Sequence, residues 1–478
     1  MTTSPASFYR RSEDALANGT LRSTLQRITG RILNSRSAAL DRLPESDEWR
    51  THARRIRAHT LSRLDEYLDQ FVSSVEAAGG HVHFAATADD AVRYVRELAS
   101  SRGLRRAVKS KSMISEEIEL NGHLEADGVR VVETDLGEYV VQINHDHPSH
   151  IVMPIIHMTK GQVADVFREK LGATDADVAD VGAMTQLARR ILRQEFIEAD
   201  LGISGVNFGV AETGSICICT NEGNGRLVTT MPKVHIAMMG IERLVPTVDD
   251  LGVMLQVLGR SATGQNLTVY SNVITGPRRG PDATGEADGP EELHVVLLDN
   301  GRSRILGSEL AEILYCIRCG ACLNACPVYQ QIGGHAYGSV YGGPVGSVLT
   351  PGLEGIEQFH ELPHASTLCG ACREVCPVRI DIPRMLLKLR ADAHDAGKSL
   401  WWVSFGLKAF RAVATRPTLF RVAGNLAARA TRLIAREGWV RRLPFHMAGW
   451  TQSRDFPVMP AESFQARWKR RQESRRDT

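Results

Sequence analysis

Seven of the nine cysteines in this 478-residue chain fall between Cys316 and Cys376, in two runs. The first reads Cys316-Ile-Arg-Cys319-Gly-Ala-Cys322-Leu-Asn-Ala-Cys326-Pro327. Its C-x2-C-x2-C-x3-C-P spacing is the bacterial ferredoxin pattern for a [4Fe–4S] cube. Three closely spaced thiolates wrap three corners of the cube, and Gly320 lets the backbone pass close to it. Pro327 turns the chain, so the fourth cysteine points to a second cluster. Zinc is the alternative, but zinc motifs usually pair C-x2-C units over a longer gap.

The second run, Ser366-Thr-Leu-Cys369-Gly-Ala-Cys372-Arg-Glu-Val-Cys376-Pro377, repeats the first with Ser366 in the place of its first cysteine. Two such runs predict a two-cluster module with crossed ligation. One cluster takes Cys316, Cys319, Cys322 and Cys376; the other takes Cys326, Cys369 and Cys372 and lacks a cysteine at one corner. Ser366, another group or water fills that corner of a [4Fe–4S] cluster, or the corner is empty and the cluster is [3Fe–4S]. A module binding one cluster is the plainer alternative.

Hydrophobic residues at 43% and charged residues at 23% exclude wholesale disorder. No run of about 18 uncharged apolar residues exists, so no membrane-spanning helix is expected. The N-terminus has no apolar signal core, and Arg10-Arg11 is followed by Ser-Glu-Asp, unlike a twin-arginine signal. The expected compartment is the cytoplasm, where crowded cysteines read as metal ligands and not as disulfides. The net charge of +2 is uneven: from Trp401 onward it is +11, leaving −9 on the rest. A basic tail on an acidic body suggests an anionic partner, whether protein, lipid headgroup or nucleic acid, and beside a cluster module suits an acidic subunit better than nucleic acid; a solvated helical face is the plainer reading.

The first 69 residues read as a helical, Arg-rich arm, with Leu61, Leu64, Leu68, Phe71 and Val75 at helical spacing. Residues 70–304 alternate strands and helices, an α/β domain around a largely parallel sheet. Expected strands include 81–85, 107–108, 129–132, 139–143, 150–156, 215–220, 227–230, 234–239, 267–274 and 293–298. Expected helices open at Thr87 and Ser115, and lie near 161–171 and 175–199. A loop covers 277–290. Residues 305–395 hold the cysteine module, and 396–478 form a basic helical region.

Several segments resemble the lactate-utilisation (LUD) domain: Lys109–Glu117, Glu133–Glu138, Pro148–Ile151, Asn207–Ile216, Thr220–Arg226, Pro232–Ile236 and Gly240–Pro246. Joined to a two-cluster module with serine in the eighth ligand place, residues 70–395 are similar to the lactate-utilisation iron–sulfur protein family. The resemblance implies a Rossmann-like three-layer α/β sandwich, like that of sugar-phosphate isomerases and CoA transferases, joined to an α-helical ferredoxin module with two [4Fe–4S] clusters. It also implies an electron carrier in the oxidation of L-lactate to pyruvate. The implied partners are a cysteine-rich subunit similar to those of heterodisulfide reductase and a second subunit containing a LUD domain.

Asn207, Glu212, Thr213, Asn221 and Glu222 are candidate rim residues of a small-ligand pocket, although Asn224-Gly225 also reads as a hairpin turn. Lys109, Lys111 and Lys233 are candidate carboxylate partners or ordinary surface lysines. Cys217 and Cys219 share one face of a strand and read as buried hydrophobes. His360-Glu-Leu-Pro-His364 has the letters of a zincin motif, but Pro363 opposes the helix the motif needs. His145, His147 and His150 read as loop histidines. Gly397-Lys-Ser399 lacks the first glycine of a phosphate loop, and no dinucleotide fingerprint is present. Trp401-Trp402 with the basic residues after it fits peripheral membrane contact or packing on the ferredoxin module. The expected function is an iron–sulfur carrier for lactate oxidation. Alternatives are the same role for another 2-hydroxy acid such as glycolate, or an isomerase- or transferase-like enzyme with structural clusters. A nucleic-acid-binding sensor has no helix-turn-helix or aromatic-interleaved basic face in its favour.

Overall fold

The computed structural model describes residues 7–280, 289–398, 401–451 and 454–475. It divides into two compact units, Met1–Ala396 and Gly397–Thr478.

The first unit contains ten strands among its described residues: β1 (His81–Ala85), β2 (Arg106–Lys109), β3 (Arg130–Glu133), β4 (Leu201–Gly205), β5 (Phe208–Val210), β6 (Ser215–Thr220), β7 (Val234–Gly240), β8 (Leu244–Val245), β9 (Tyr270–Ile274) and β10 (Glu292–Leu298). Six form a sheet in the order β1-β10-β7-β4-β2-β3, with every neighbour parallel. A parallel sheet is covered on both faces, so its central strands need apolar side chains at successive positions. β7, Val-His-Ile-Ala-Met-Met-Gly, is buried at all seven positions. Its one polar side chain, His235, bonds Ser204 on β4 (2.8 Å). A second, four-stranded sheet runs β8-β5-β6-β9.

Four expected local structures are corrected. Residues 139–143, expected as a strand, lie in the helix Leu136–Ile143, whose Gln142 side chain donates to the Val131 carbonyl of β3 (2.8 Å). A short apolar run does not distinguish the two periods by itself. Residues 227–230 lie in the helix Asn224–Thr230, so Asn224-Gly225 opens a helix rather than closing a hairpin. That helix packs on β4 where Gly202 has no Cβ; one added there would come 2.0 Å from the Val228 carbonyl oxygen. Residues 150–156 are turns, because His150 Nδ1 accepts the N–H groups of Val152 (3.0 Å) and Met153 (3.1 Å). The helix expected over 175–199 is Val181–Glu198, capped by Asp180.

The N-terminal residues form helices Phe8–Ala17, Gly19–Asp41, Ser46–Ser62 and Leu64–Ala77. The expected apolar stripe from Leu61 to Val75 is therefore broken at Arg63 (φ −134°). One apolar core includes Leu25 and Phe71 from these helices, Phe208 and Ile216 from the second sheet, and Leu349 and Leu386 from the cysteine-bearing part. A buried ion network ties the same parts together. Arg302, fully buried, bonds Glu117 (2.8 Å) and Glu242 (2.9 Å), and Tyr341 donates to Glu117 (2.6 Å). Removing one member of such a set costs about 3–5 kcal/mol, because it strands a buried charge.

The second unit contains helices Trp401–Ala414, Pro417–Ile434 and Phe464–Ser474 and a strand pair, Trp439–Val440 with Phe456–Pro457. Trp401 is exposed. No helix among the described residues is long and apolar enough to cross a membrane. Residues 281–288 of the expected loop, and Ser399, lie outside the described residues.

Candidate iron–sulfur centre and adjoining cavity

Each cysteine run folds into the same loop. Arg318 and Gly320 take positive φ (59° and 74°), and Leu368 and Gly370 repeat them (56° and 84°). Alternating left-handed residues turn successive side chains and N–H groups toward one side. The Arg318 N–H donates to Cys316 Sγ (3.4 Å), Tyr329 N–H to Cys326 Sγ (3.5 Å) and Ile380 N–H to Cys376 Sγ (3.4 Å). In the second run the Leu368 N–H donates to Ser366 Oγ (3.1 Å), the bond that Cys316 receives in the first.

The fold brings the cysteines together in two groups. Cys316, Cys319, Cys322 and Cys376 line one small cavity with Ile151, Val345 and Ile380. Burial pushes the Cys319 thiol up to about 12 and the Cys376 thiol up to about 11, and the charges of neighbouring thiols add to both shifts. Cys322 is pushed higher still by burial, with Cys316, Cys319, Cys372 and Cys376 around it. Cys326, Cys369 and Cys372 form the other group. Cys372 is pushed up to about 12 by burial, then by Cys326 and Cys369. Cys369 is exposed, and the backbone N–H of Ala371 lowers its thiol. Buried thiols that raise one another disfavour free thiolates. A cationic iron–sulfur core supplies the opposite charge, so these donors fit clusters.

Arginines of the N-terminal helices hold the loops by their carbonyls. Arg36 donates to Val375 O (2.7 Å), Arg50 to Cys376 O (3.0 Å) and Arg54 to Arg379 O (2.7 Å). Fully buried Arg57 reaches Leu244 O (2.6 Å), Leu314 O (3.0 Å) and Glu242 O. The sequence marks this arm as Arg-rich but does not show what the arginines bind.

A cavity of about 490 Å³ lies against the carboxyl ends of β2, β4 and β7, where open parallel sheets bind ligands. Asn207, Asn221, Glu222 and Lys111 line it, as does Cys219. So do Ser110, Asn224, Arg243 and Arg318, which the sequence reading missed. Ile151 and Arg318 line both this cavity and the cysteine cavity, so the two share a wall. Arg318 lies over the Tyr341 ring (4.7 Å) and within 3.5 Å of Glu242. Lys111 pairs with Glu138 at 3.1 Å, yet burial still pushes the Glu138 carboxyl up to about 7. Glu222 stands at the exposed mouth, where crowding by the wall and the charge of Asp135 raise its carboxyl.

Other expected residues lie elsewhere. Glu212 and Thr213 are not in the cavity. They belong to the β5–β6 turn, where Glu212 accepts the Val248 N–H (3.2 Å) and Thr213 donates to Ser215 (2.7 Å). Lys109 is buried between Glu116 (2.7 Å) and Glu133, whose charges keep it protonated despite its burial. Lys233 precedes β7, at the opposite end of the strands, and is exposed. Cys217 is fully buried, with its sulfur 4.0 Å from that of Cys219. His360 follows the helix Ile356–Phe359 and His364 ends a separate 3-10 turn, so no helix presents both. His150 lies in a turn, as a loop histidine would, but it is buried: burial, with Lys111 nearby, pushes its imidazole down to about 3.

Residues 68–298 match the family model of the LUD domain, and 312–380 that of the 4Fe-4S dicluster domain. Residues 390–473 match that of lactate utilisation protein B, C-terminal. The fold and site thus define a class, an α/β LUD domain joined to a dicluster iron–sulfur module. Lactate utilization protein B of Shouchella clausii is 46% identical over 470 residues, 98% of each chain. That of Geobacillus thermodenitrificans is 47% identical over 467 residues, 97% of each. Among solved structures, a DUF162 family protein from Deinococcus radiodurans aligns with 49% of this chain and 98% of its own (TM-score 0.27, 13% identity). The chain belongs to the lactate utilization protein B family.

Proposed function

We propose that this chain is the iron–sulfur electron carrier of a cytoplasmic complex that oxidises L-lactate to pyruvate. The observation that carries the reading is the gathering of seven cysteines into a group of four, three of them buried and Cys316 partly so, and a group of three that reaches the surface at Cys369. Cys316, Cys319, Cys322 and Cys376 would hold one [4Fe–4S] cluster. Cys326, Cys369 and Cys372 would hold the second, with Ser366 at the remaining corner. Bound clusters supply reversible one-electron transfer. The chain's own residues then set the conditions. Backbone N–H groups at Arg318, Tyr329 and Ile380 donate to the ligand sulfurs, which stabilises their negative charge. Ile151, Val345 and Ile380 keep water from the inner group. Exposed Cys369 offers the outer group to a partner. The lactate assignment comes from the names of the relatives. Two partners are proposed from the family resemblance of the sequence: a cysteine-rich subunit similar to those of heterodisulfide reductase and a second LUD-domain subunit.

The test is anaerobic purification with co-purifying subunits, followed by iron and sulfide counts and paramagnetic spectra. Adding L-lactate to the assembled complex should reduce clusters on this chain. Clusters that dithionite reduces but lactate does not, with all partners present, would sink the lactate reading. Glycolate reducing them in its place would favour another 2-hydroxy acid.

A further inference from the structure

Four residues that line the cavity at the strand ends carry polar atoms that the chain leaves without partners. Ser110 Oγ, Thr220 Oγ1, Asn224 Oδ1 and Arg318 Nη1 are shielded from solvent and bond nothing within the described chain. All four side chains line the one cavity, and Ser110 (2% exposed) and Asn224 (6%) are more than nine-tenths buried. Structural voids are apolar, and buried polar groups are almost always paired, so four orphans around one space mark a place for a polar ligand. Two further cations, Lys111 and Arg243, stand in the same wall. A planar guanidinium with a free nitrogen suits a carboxylate, while hydroxyls and an amide oxygen suit a neutral oxygen group.

We infer that this cavity binds a small 2-hydroxy or 2-oxo monocarboxylate, with Arg318 as the partner of its carboxylate and Ser110, Thr220 and Asn224 as partners of its hydroxyl or keto oxygen. The acid class rests on the lactate reading above; the existence of a polar-ligand site rests on the unpartnered atoms alone. Arg318 lies between Cys316 and Cys319, so the bound acid shares a wall with the inner cysteine group. At about 490 Å³ the cavity also has room for acids longer than three carbons.

Pyruvate, already oxidised, is the probe. The full chain, loaded with iron and sulfide under argon, is titrated calorimetrically with pyruvate, L-lactate, 2-oxobutyrate, acetate and phosphate. Saturable binding of the 2-oxo and 2-hydroxy acids is expected, with acetate and phosphate weaker. The double variant Ser110→Ala/Thr220→Val removes two hydrogen-bonding groups with little change of volume. It should weaken pyruvate at least about tenfold while iron content is unchanged. Arg318→Lys, which keeps the charge and loses the planar fork, should weaken it as well. Lys233→Ala, at the other end of the strands, should leave it unchanged. No saturable pyruvate binding, or acetate and phosphate binding as tightly as pyruvate, would overturn the inference; so would a double variant that binds as wild type does. The two readings fail separately. If pyruvate does not bind but lactate with partners still reduces the clusters, the cavity inference falls and the carrier stands. If pyruvate binds but lactate never reduces them, the lactate reading falls and the cavity stands.

Discussion

The two cysteine loops have one backbone and two environments. Both place left-handed residues before and after the shared cysteine, Cys319 or Cys369, and both direct an N–H to the side-chain atom two residues earlier. Yet Cys319 is buried against the α/β domain, whereas Cys369 is exposed. Gly320 makes the contrast concrete. A Cβ there would meet the His150 ring at 2.9 Å and Val152 at 3.3 Å, while one on Gly370 would meet nothing within 4 Å. A repeated Cys-Gly-Ala-Cys therefore dictates loop conformation, and neighbours far away in sequence dictate burial. The inner loop is built to be enclosed beside a cavity, and the outer loop to be approached.

The largest expected difference follows from removing a cysteine on each side. Cys322 is buried, with Cys316, Cys319, Cys372 and Cys376 around it. Cys322→Ser should leave the purified chain with about half its iron or less and sharply lower its soluble yield, since ligand binding is coupled to folding. Cys369→Ser, at the surface, should lower iron but leave a folded chain by circular dichroism. Equal yields and equal iron for the two variants would erase the contrast. Next come the glycines. Both alanine variants force a side chain into the left-handed region, at about 1–2 kcal/mol each. Only Gly320→Ala also crowds His150, adding about 1–3 kcal/mol. Thermal melting should therefore rank Gly370→Ala above Gly320→Ala, and the opposite order would contradict the inner packing. A smaller effect is kinetic. An iron chelator added to the oxidised protein should bleach it in two phases, the faster one carrying the spectrum of the outer cluster, because Cys369 gives solvent a route to it. A single phase would mean that the two sites are equally shielded.

The same contrast explains what could be read from the sequence. Metal-ligand spacing is local, so the two cysteine runs could be read directly from the sequence; the fold places Cys376 at one cavity with Cys316, Cys319 and Cys322, and the crossed ligand sets are what we propose. The parallel sheet was legible from strands such as 234–239, where burial on both faces demands a near-continuous apolar run, interrupted only by His235. Tyr139–Ile143 was misread because five apolar or neutral residues fit a strand as well as a turn of helix. Glu212 and Thr213 were placed in the pocket because Glu212-Thr-Gly214 sets a carboxylate beside a glycine turn, yet the β5–β6 turn carries them away from it. The cavity gathers residues from separate segments, Ser110 after β2 and Arg318 from a cysteine loop, and no local pattern marks them. Two faint signals existed: Ser110-Lys-Ser112 directly follows a parallel strand, and a cation stands inside the first cysteine run.

The smallest expected effect on stability, and the sharpest on chemistry, comes at Ser366, which stands where the first loop has Cys316. Ser366 Oγ accepts the Leu368 N–H, while Arg390 holds the loop backbone independently of that side chain, donating to the carbonyls of Pro363 (2.9 Å) and Ser366 (2.8 Å). Ser366→Ala removes one partly exposed hydrogen bond and should cost about 1 kcal/mol or less. The spectrum is the decisive readout. With an oxygen ligand at this corner, the wild-type chain carries about eight irons, and the alanine variant changes the signal of the outer cluster alone. Ser366→Cys puts sulfur where Cys316 stands in the other loop, and should make the two clusters spectroscopically more alike. An alanine variant with unchanged iron and an unchanged spectrum would remove Ser366 from the ligand set. The difference between the loops would then lie in burial alone.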